Sequence, residues 1–235
     1  MTLTRRIALT LAAFTLVTAL AACGGGEAEQ AKSFQTFLQT RILDKKGIRM
    51  PRPSDEERAS FGRFASDYDV IVKFNDAMSD AMGQKLPEIM RRGNITSVAQ
   101  LVERRADLAA AREALAQVTR TMETALAEAN AAHGTLKQPE PLKAVYDQAF
   151  ARLVTNPAET VPPVWRALDN ALGVSLDMAG FLETNRDKFT FNGPIAQTRD
   201  AKLLDEFNKH VAAMRGATVS INAAQSTMRK LIEGE

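Results

Sequence analysis

From about residue 27 to the C-terminus, apolar residues recur at three- and four-residue intervals. That spacing sets them along one face of an α-helix and predicts amphipathic helices joined by proline and glycine punctuation. The first, Glu27 to about Lys46, carries Phe34, Phe37, Leu38 and Ile42 and stops at Gly47, a residue suited to a C-terminal cap. After the connector Met50-Pro51-Arg52-Pro53, Ser54 and Glu57 supply a capping box, the serine accepting from the backbone three residues on while the glutamate reaches back. The helix they start aligns Phe61, Phe64, Tyr68, Ile71, Met78 and Ile89, and Pro87 predicts a kink or stop before Gly93-Asn94. A longer helix, with Thr96 as its expected N-cap, runs to about Leu136 and repeats Leu101, Leu108, Leu115, Met122 and Ala129 at sevens, a seam for bundle packing. A shorter helix follows from Pro139 to Leu153, which Asn156-Pro157 is expected to end, and another from Ala158 or Val161 to Arg186, with Pro162 and Pro163 in its first turn. The helical period fails over residues 188–197, where Asn192-Gly193 signals a hairpin and Pro194 confines its second arm to an edge. The last helix, Asp200 to Ile232, repeats Phe207, Met214, Ile221 and Met228 at sevens. The expected fold class is all-α: an elongated bundle of five or six amphipathic helices with a small β-hairpin near 188–197.

The N-terminus is patterned differently. Met1 to Arg6 is short and positive, and Ile7 to Ala22 is apolar except for Thr10, Thr15 and Thr18. This is the layout of a signal peptide, in a run shorter than the roughly 20 apolar residues of a membrane-spanning helix. Leu20-Ala21-Ala22-Cys23 resembles the lipobox of bacterial lipoproteins, in which the cysteine thiol receives a diacylglycerol, the chain is cut just before it and the new amine is acylated. An ordinary secretory signal cut at an Ala-x-Ala site and a buried apolar helix are the alternatives. The expected division is a signal peptide at 1–22, a lipidated cysteine and flexible tether at 23–32 through Gly24-Gly25-Gly26, and a single helical domain at 33–235. Two or three acyl chains, at about 0.8 kcal/mol per buried methylene, hold a protein on a membrane. Gly24 stands where many lipoproteins carry an aspartate that signals inner-membrane retention, so the outer membrane facing the periplasm is the expected address, with the inner membrane as the alternative.

Removing residues 1–22 leaves 213 residues with 28 basic and 28 acidic side chains. No basic excess then points to nucleic acid or to a polybasic membrane patch. Cys23 is the only cysteine, so no intramolecular disulfide can form, and the fold must rest on its apolar core.

Two stretches carry a resemblance: "FLQ" at 37–39 with "FGRFASDYDVI" at 61–71, and "AAHGTLKQPEPLKAVYDQAFARLVTNPAE" at 131–159. They are similar to the YiaF-like lipoproteins, a domain family of unknown function in Gram-negative envelopes. The likeness runs from just after the lipobox past Asn192-Gly193, sparser over 90–128. It implies the same helical topology and the lipid anchor and brings no established activity. The departure is at Pro194, directly after the turn glycine.

Chemistry is sparse. The two histidines, His133 and His210, lie in separate predicted helices without the ligand spacing of a zinc site, and no phosphate-binding loop or nucleophile elbow is present. No metal, cofactor or catalytic residue is assigned. His133, Lys137 and Asp147 would form a polar cluster if their helices fold back on one another; the competing reading leaves His133 at an exposed helix end. Asp67, Asp69, Asp76 and Asp80 read as solvated helix faces. Phe34, Phe37, Phe61, Phe64 and Tyr68, with Phe189 and Phe191, are expected in the core, the alternative being an apolar groove for lipid or a partner helix. The leading functional expectation is a non-catalytic envelope lipoprotein that binds a protein partner, ahead of a module for a lipid or small apolar ligand, and both ahead of an enzyme built on His133, Lys137 and Asp147.

Overall fold

A computed structural model describes residues 21–192 and 195–233. The expected signal segment through Leu20 lies outside these residues, as do Gly193, Pro194 and the side chains of 21–25 and 231. The described chain is helical except for one hairpin. Helix α1 (Ala21–Leu38) widens into a π turn at Gln39–Leu43. The stretch 23–32, expected as a flexible tether, is helical backbone, with Glu27 paired to Arg63 at 2.6 Å and Ala31 buried. Residues 27–32, Glu-Ala-Glu-Gln-Ala-Lys, are all strong helix formers, which is why the helix reaches back through them.

The capping box forms as expected. Ser54 Oγ accepts from the Glu57 N–H at 3.1 Å, Glu57 Oε2 accepts from the Ser54 N–H at 2.9 Å, and α2 (Asp55–Ser60) begins there. A single turn at Gly62–Phe64 leads into α3 (Ala65–Asp80), which passes through a π turn at Ala81–Lys85 into α4 (Leu86–Gly93). Next come α5 (Val98–Glu103) and α6 (Arg105–His133), then α7 (Glu140–Phe150), which continues through a π turn at Ala151–Thr155 into α8 (Asn156–Thr184). Strands β1 (Thr190–Asn192) and β2 (Ile195–Gln197) form the hairpin before α9 (Ala201–Glu233).

Four local expectations are corrected. Asn156-Pro157 does not end a helix, and Pro162 and Pro163 lie in the interior of α8 rather than its first turn. Pro87 likewise does not stop its helix, which runs on to Gly93 and ends there, before Asn94. Pro87 and Pro157 each sit two residues beyond a π turn. A proline ring collides with the carbonyl four residues back and donates no amide, and a widened turn makes room for it. The carbonyl that Pro157 leaves without its helical donor is that of Leu153, and the Asn75 side-chain amide donates to it at 3.1 Å. Third, the cap at 96 moves by one residue: Ser97 Oγ accepts from the Gln100 N–H at 3.3 Å, while Thr96 donates its N–H and hydroxyl to the Gln100 side chain. Fourth, Asn192 pairs with Ile195, so it belongs to the first strand rather than to the turn.

The seven-residue line is buried along its whole length, at Leu101, Leu108, Leu115, Met122 and Ala129, and it keeps phase across the interruption at Arg104. Through it α6 packs on α3, α4 and α8. Helix α9, 33 residues long and thus about 50 Å at 1.5 Å per residue, runs back along α8. The expected aromatic core is present: Phe34 meets Phe61 at 5.1 Å and Tyr68 at 6.0 Å, and Phe189 meets Phe181 and Phe207 at 5.7 Å where the hairpin turns.

Two arginines hold helix ends. Arg104 donates to the carbonyls of Asn94 at 2.6 Å and Arg92 at 3.2 Å, closing the end of α4. Arg152, in the third π turn, donates to the carbonyls of Leu43 at 2.9 Å, Gly47 at 3.0 Å and also Lys45. Gly47 has φ of +69°, and a Cβ there would lie 2.2 Å from the Ile232 carbonyl oxygen, so this corner requires glycine. Arg152→Met is expected to lower stability by about 1.5–3 kcal/mol in urea denaturation, the range for hydrogen bonds from a charged donor, and to speed amide exchange over residues 43–47.

Candidate functional site

The polar cluster expected from sequence is present in part. His133 ends α6, and its Nε2 lies 2.7 Å from Asp147 Oδ1 on α7. The imidazole stacks on Phe150 at 4.1 Å with 16° between ring planes. The lysine is different from the one expected: Lys143, one turn before Asp147 on the same helix, donates to Oδ2. Lys137 supplies its backbone carbonyl to Arg63 at 3.0 Å, and its ammonium is not among the partners of Asp147. Helix spacing explains the exchange, because an i, i+4 pair is held by α7 itself, whereas Lys137 lies in the connector. Burial pushes the Asp147 carboxyl up, but the bonds from Lys143 and His133 outweigh it and leave the group below the usual aspartate range. With both carboxylate oxygens engaged and the imidazole stacked on Phe150, the cluster fastens α6 to α7.

Of the carboxylates read as solvated, Asp69 pairs with Arg58 at 2.7 Å and Asp76 with Arg52. Asp67 is a correction, for it is buried. Its Oδ2 accepts from Gln138 Nε2 at 2.7 Å and its backbone carbonyl from the Tyr146 hydroxyl at 2.7 Å, and burial raises its carboxyl above the usual range. Among the described residues no group of three or more His, Cys, Asp or Glu is placed to hold a metal ion.

A groove of about 720 Å³ lies between α3, α6 and α8. Such a volume lies within the range of small-molecule sites, roughly 300–1,000 Å³. Phe74, Met78, Leu115, Met122, Val161 and Trp165 make its apolar walls, and all but Met78 are buried. Trp165 is the only tryptophan of the chain. Arg120, Glu123, Arg166 and Asp169 stand at the rim. Asp169 is taken up by Arg112, whose two donors reach it at 2.7 and 3.0 Å and hold its carboxyl low. That pair and the Arg105–Glu183 pair set α6 and α8 antiparallel. Ala158 and Pro162 close one end. Because residues 162 and 163 are both proline, the Ala158 carbonyl has no amide donor four or five residues ahead. The aromatic residues that the sequence offered as an alternative groove are in the core instead, and the groove is elsewhere. Its walls read in the sequence as ordinary core stripe. The small residues Ala116 and Ala158, which leave the space open, carry no signal in the sequence.

A family model described as "Protein of unknown function (DUF3053)" matches residues 11–229. The chain belongs to that family. It is similar to proteins named "Uncharacterized protein YiaF" from Escherichia coli strain K12, Escherichia coli O157:H7 and Shigella flexneri, each 28% identical over 218 residues that cover 92% of this chain and 92% of the relative. No solved structure matches the chain. Membership of DUF3053 agrees with the resemblance carried by residues 37–39, 61–71 and 131–159 and assigns no activity to the groove or to the His133 cluster.

The lowered Asp147 carboxyl has a definite pH consequence. A group whose folded pKa lies below its unfolded value stabilises the fold above the ordinary aspartate value of 3.8 and ceases to as pH falls through the folded one. Asp147→Asn should therefore cost about 0.5–1 kcal/mol at neutral pH, as for a partly exposed ion pair. In chemical denaturation followed against pH, the gap from the parent protein should close below pH 3.8.

Proposed function

We propose that the protein is a lipid-anchored component of the cell envelope, held at Cys23 and facing the periplasm, that works by binding an apolar chain in the groove between α3, α6 and α8. The observation that carries the binding reading is the groove itself: an apolar space that opens between helices onto the core residues Phe74 and Leu115. An occupant reaching those residues must enter between helices whose axes pack about 8–10 Å apart. A single hydrocarbon chain fits such a gap, whereas a partner helix, about 10–12 Å across with its side chains, would rest on the rim. Met78 and Met122 in the walls adapt their shape to a flexible chain. For this reason binding of a lipid or small apolar ligand is preferred to the protein-partner reading. Catalysis has less support, since Asp147 and His133 are engaged with each other and with neighbours that fix the helices.

The anchor reading is supported by the order of residues at the N-terminus: Arg5 and Arg6, then the apolar run, then Leu20-Ala21-Ala22-Cys23 with the chain's only cysteine. Cells grown with a labelled fatty acid should label the parent protein and leave Cys23→Ser unlabelled; label persisting in the variant overturns the anchor. Trp165 reports on the groove directly. With the protein in phosphatidylcholine vesicles, a monoacylglycerol brominated along its chain should quench Trp165 fluorescence saturably. Ala158→Phe and Ala116→Phe, which fill the groove, should weaken that quenching at least about tenfold, equivalent to 1.4 kcal/mol. Helical content, checked by circular dichroism, should be retained. Quenching unchanged in both variants overturns the groove as the binding site.

A further inference from the structure

The rim of the groove carries a charge arrangement that an apolar chain alone would not use. Its four charged residues are two arginines and two carboxylates, so the rim is formally neutral. Asp169 is held by Arg112, and Arg120 is bonded to Glu113 at 3.2 Å across an exposed surface. Among the described residues Arg166 and Glu123 make no ion pair within 4.0 Å. The two uncommitted charges at one mouth are therefore of opposite sign.

Their order along the groove is fixed by the helices. In the antiparallel register set by Arg112–Asp169 and Arg105–Glu183, the turn of α6 bearing Arg120 stands beside the turn of α8 bearing Trp165 and Arg166. Glu123 follows Arg120 three residues on, about 4.5 Å along the axis at 1.5 Å per residue, toward the end closed by Ala158. The mouth thus presents guanidinium donors and a carboxylate that accepts. A head that carries both a phosphate and an ammonium group offers the two signs that these rim charges complement.

Resting on the groove reading above, we infer that the ligand is a single-chain lipid with a zwitterionic phosphoethanolamine head, its acyl chain against Trp165, its phosphate facing Arg166 and Arg120, and its ammonium facing Glu123. A purely anionic head would leave Glu123 repelling it, and an uncharged head would leave both charges unused.

The test compares three lipids with the same brominated chain by quenching of Trp165, using the protein in phosphatidylcholine vesicles: a monoacylglycerol, a lysophosphatidylethanolamine and a lysophosphatidylglycerol. The phosphoethanolamine lipid should bind about fivefold more tightly than the monoacylglycerol, the gain expected of two exposed charge contacts, and more tightly than the glycerol phosphate. Arg166→Gln and Glu123→Gln should each bring the ratio of phosphoethanolamine lipid to monoacylglycerol close to one. Both substitutions are at exposed positions, and the ratio within one variant does not depend on its stability. Saturable quenching with equal affinity for all three heads overturns the headgroup assignment and leaves the groove reading standing. A preference for the anionic head, or a zwitterion preference that survives both substitutions, likewise overturns it. Failure of every lipid to quench overturns the groove reading as well.

Discussion

A proline inside a helix removes one amide donor and strands one carbonyl, and most of the shape of this protein follows from how those losses are met. The rod from Glu140 to Thr184 contains Pro157, Pro162 and Pro163, and the rod from Ala65 to Gly93 contains Pro87. A π turn before Pro87 and another before Pro157 absorb the ring, and Asn75 reaches across from α3 to serve the stranded Leu153 carbonyl. That bond ties α3 to the π turn of the other rod. Pro162 follows no such turn directly, and Ala158, four residues before it, lines the groove.

The parts of this fold that were legible in the sequence are those governed by one helix's own periodicity. Leu101, Leu108, Leu115, Met122 and Ala129 are buried because a seven-residue repeat keeps returning to one face whatever the neighbours are. The Ser54–Glu57 box is equally local. What failed were inferences that a local signal would win against tertiary packing. Asn156-Pro157 reads as a stop only if nothing spans the break, and Asn75, 81 residues away in sequence, does so. Lys137 seemed the partner of Asp147 by its distance from His133, but the connector carries it elsewhere, and Lys143 is held in place by α7. Asp67 looked like a surface carboxylate because nothing near it in sequence announces Gln138 or Tyr146. The groove was hidden for the same reason, since its walls come from three helices and each reads alone as core.

With a single cysteine the molecule cannot cross-link itself, and arginine takes over part of that work. A guanidinium offers five donors in a fixed plane, so one side chain can satisfy several of the carbonyls that every helix end leaves exposed. Arg104 and Arg152 do this for α4 and for the segment after α1. Arg152 also carries information about the whole fold, because its partners lie more than a hundred residues earlier. Elsewhere charge pairs align helices side by side, Arg112 with Asp169 and Arg105 with Glu183. Exposed pairs of this kind contribute about 0.2–1 kcal/mol each. Their larger effect is on register, and register decides which side chains meet at the groove.

That last point links structure to the proposed function. If α6 and α8 slid by one turn, Trp165 would no longer stand beside the turn bearing Arg120, and the order of donor and acceptor along the mouth would be lost. The Arg112–Asp169 pair adjoins the groove without needing to touch an occupant, and it removes one carboxylate from the rim's free charges. The two charges left uncommitted, Arg166 and Glu123, therefore owe their freedom to a neighbour's bond. A head bearing both signs can satisfy both at once without leaving either repelled, and this compensation is what separates a phosphoethanolamine group from a simple anion at a mouth whose own charges sum to zero.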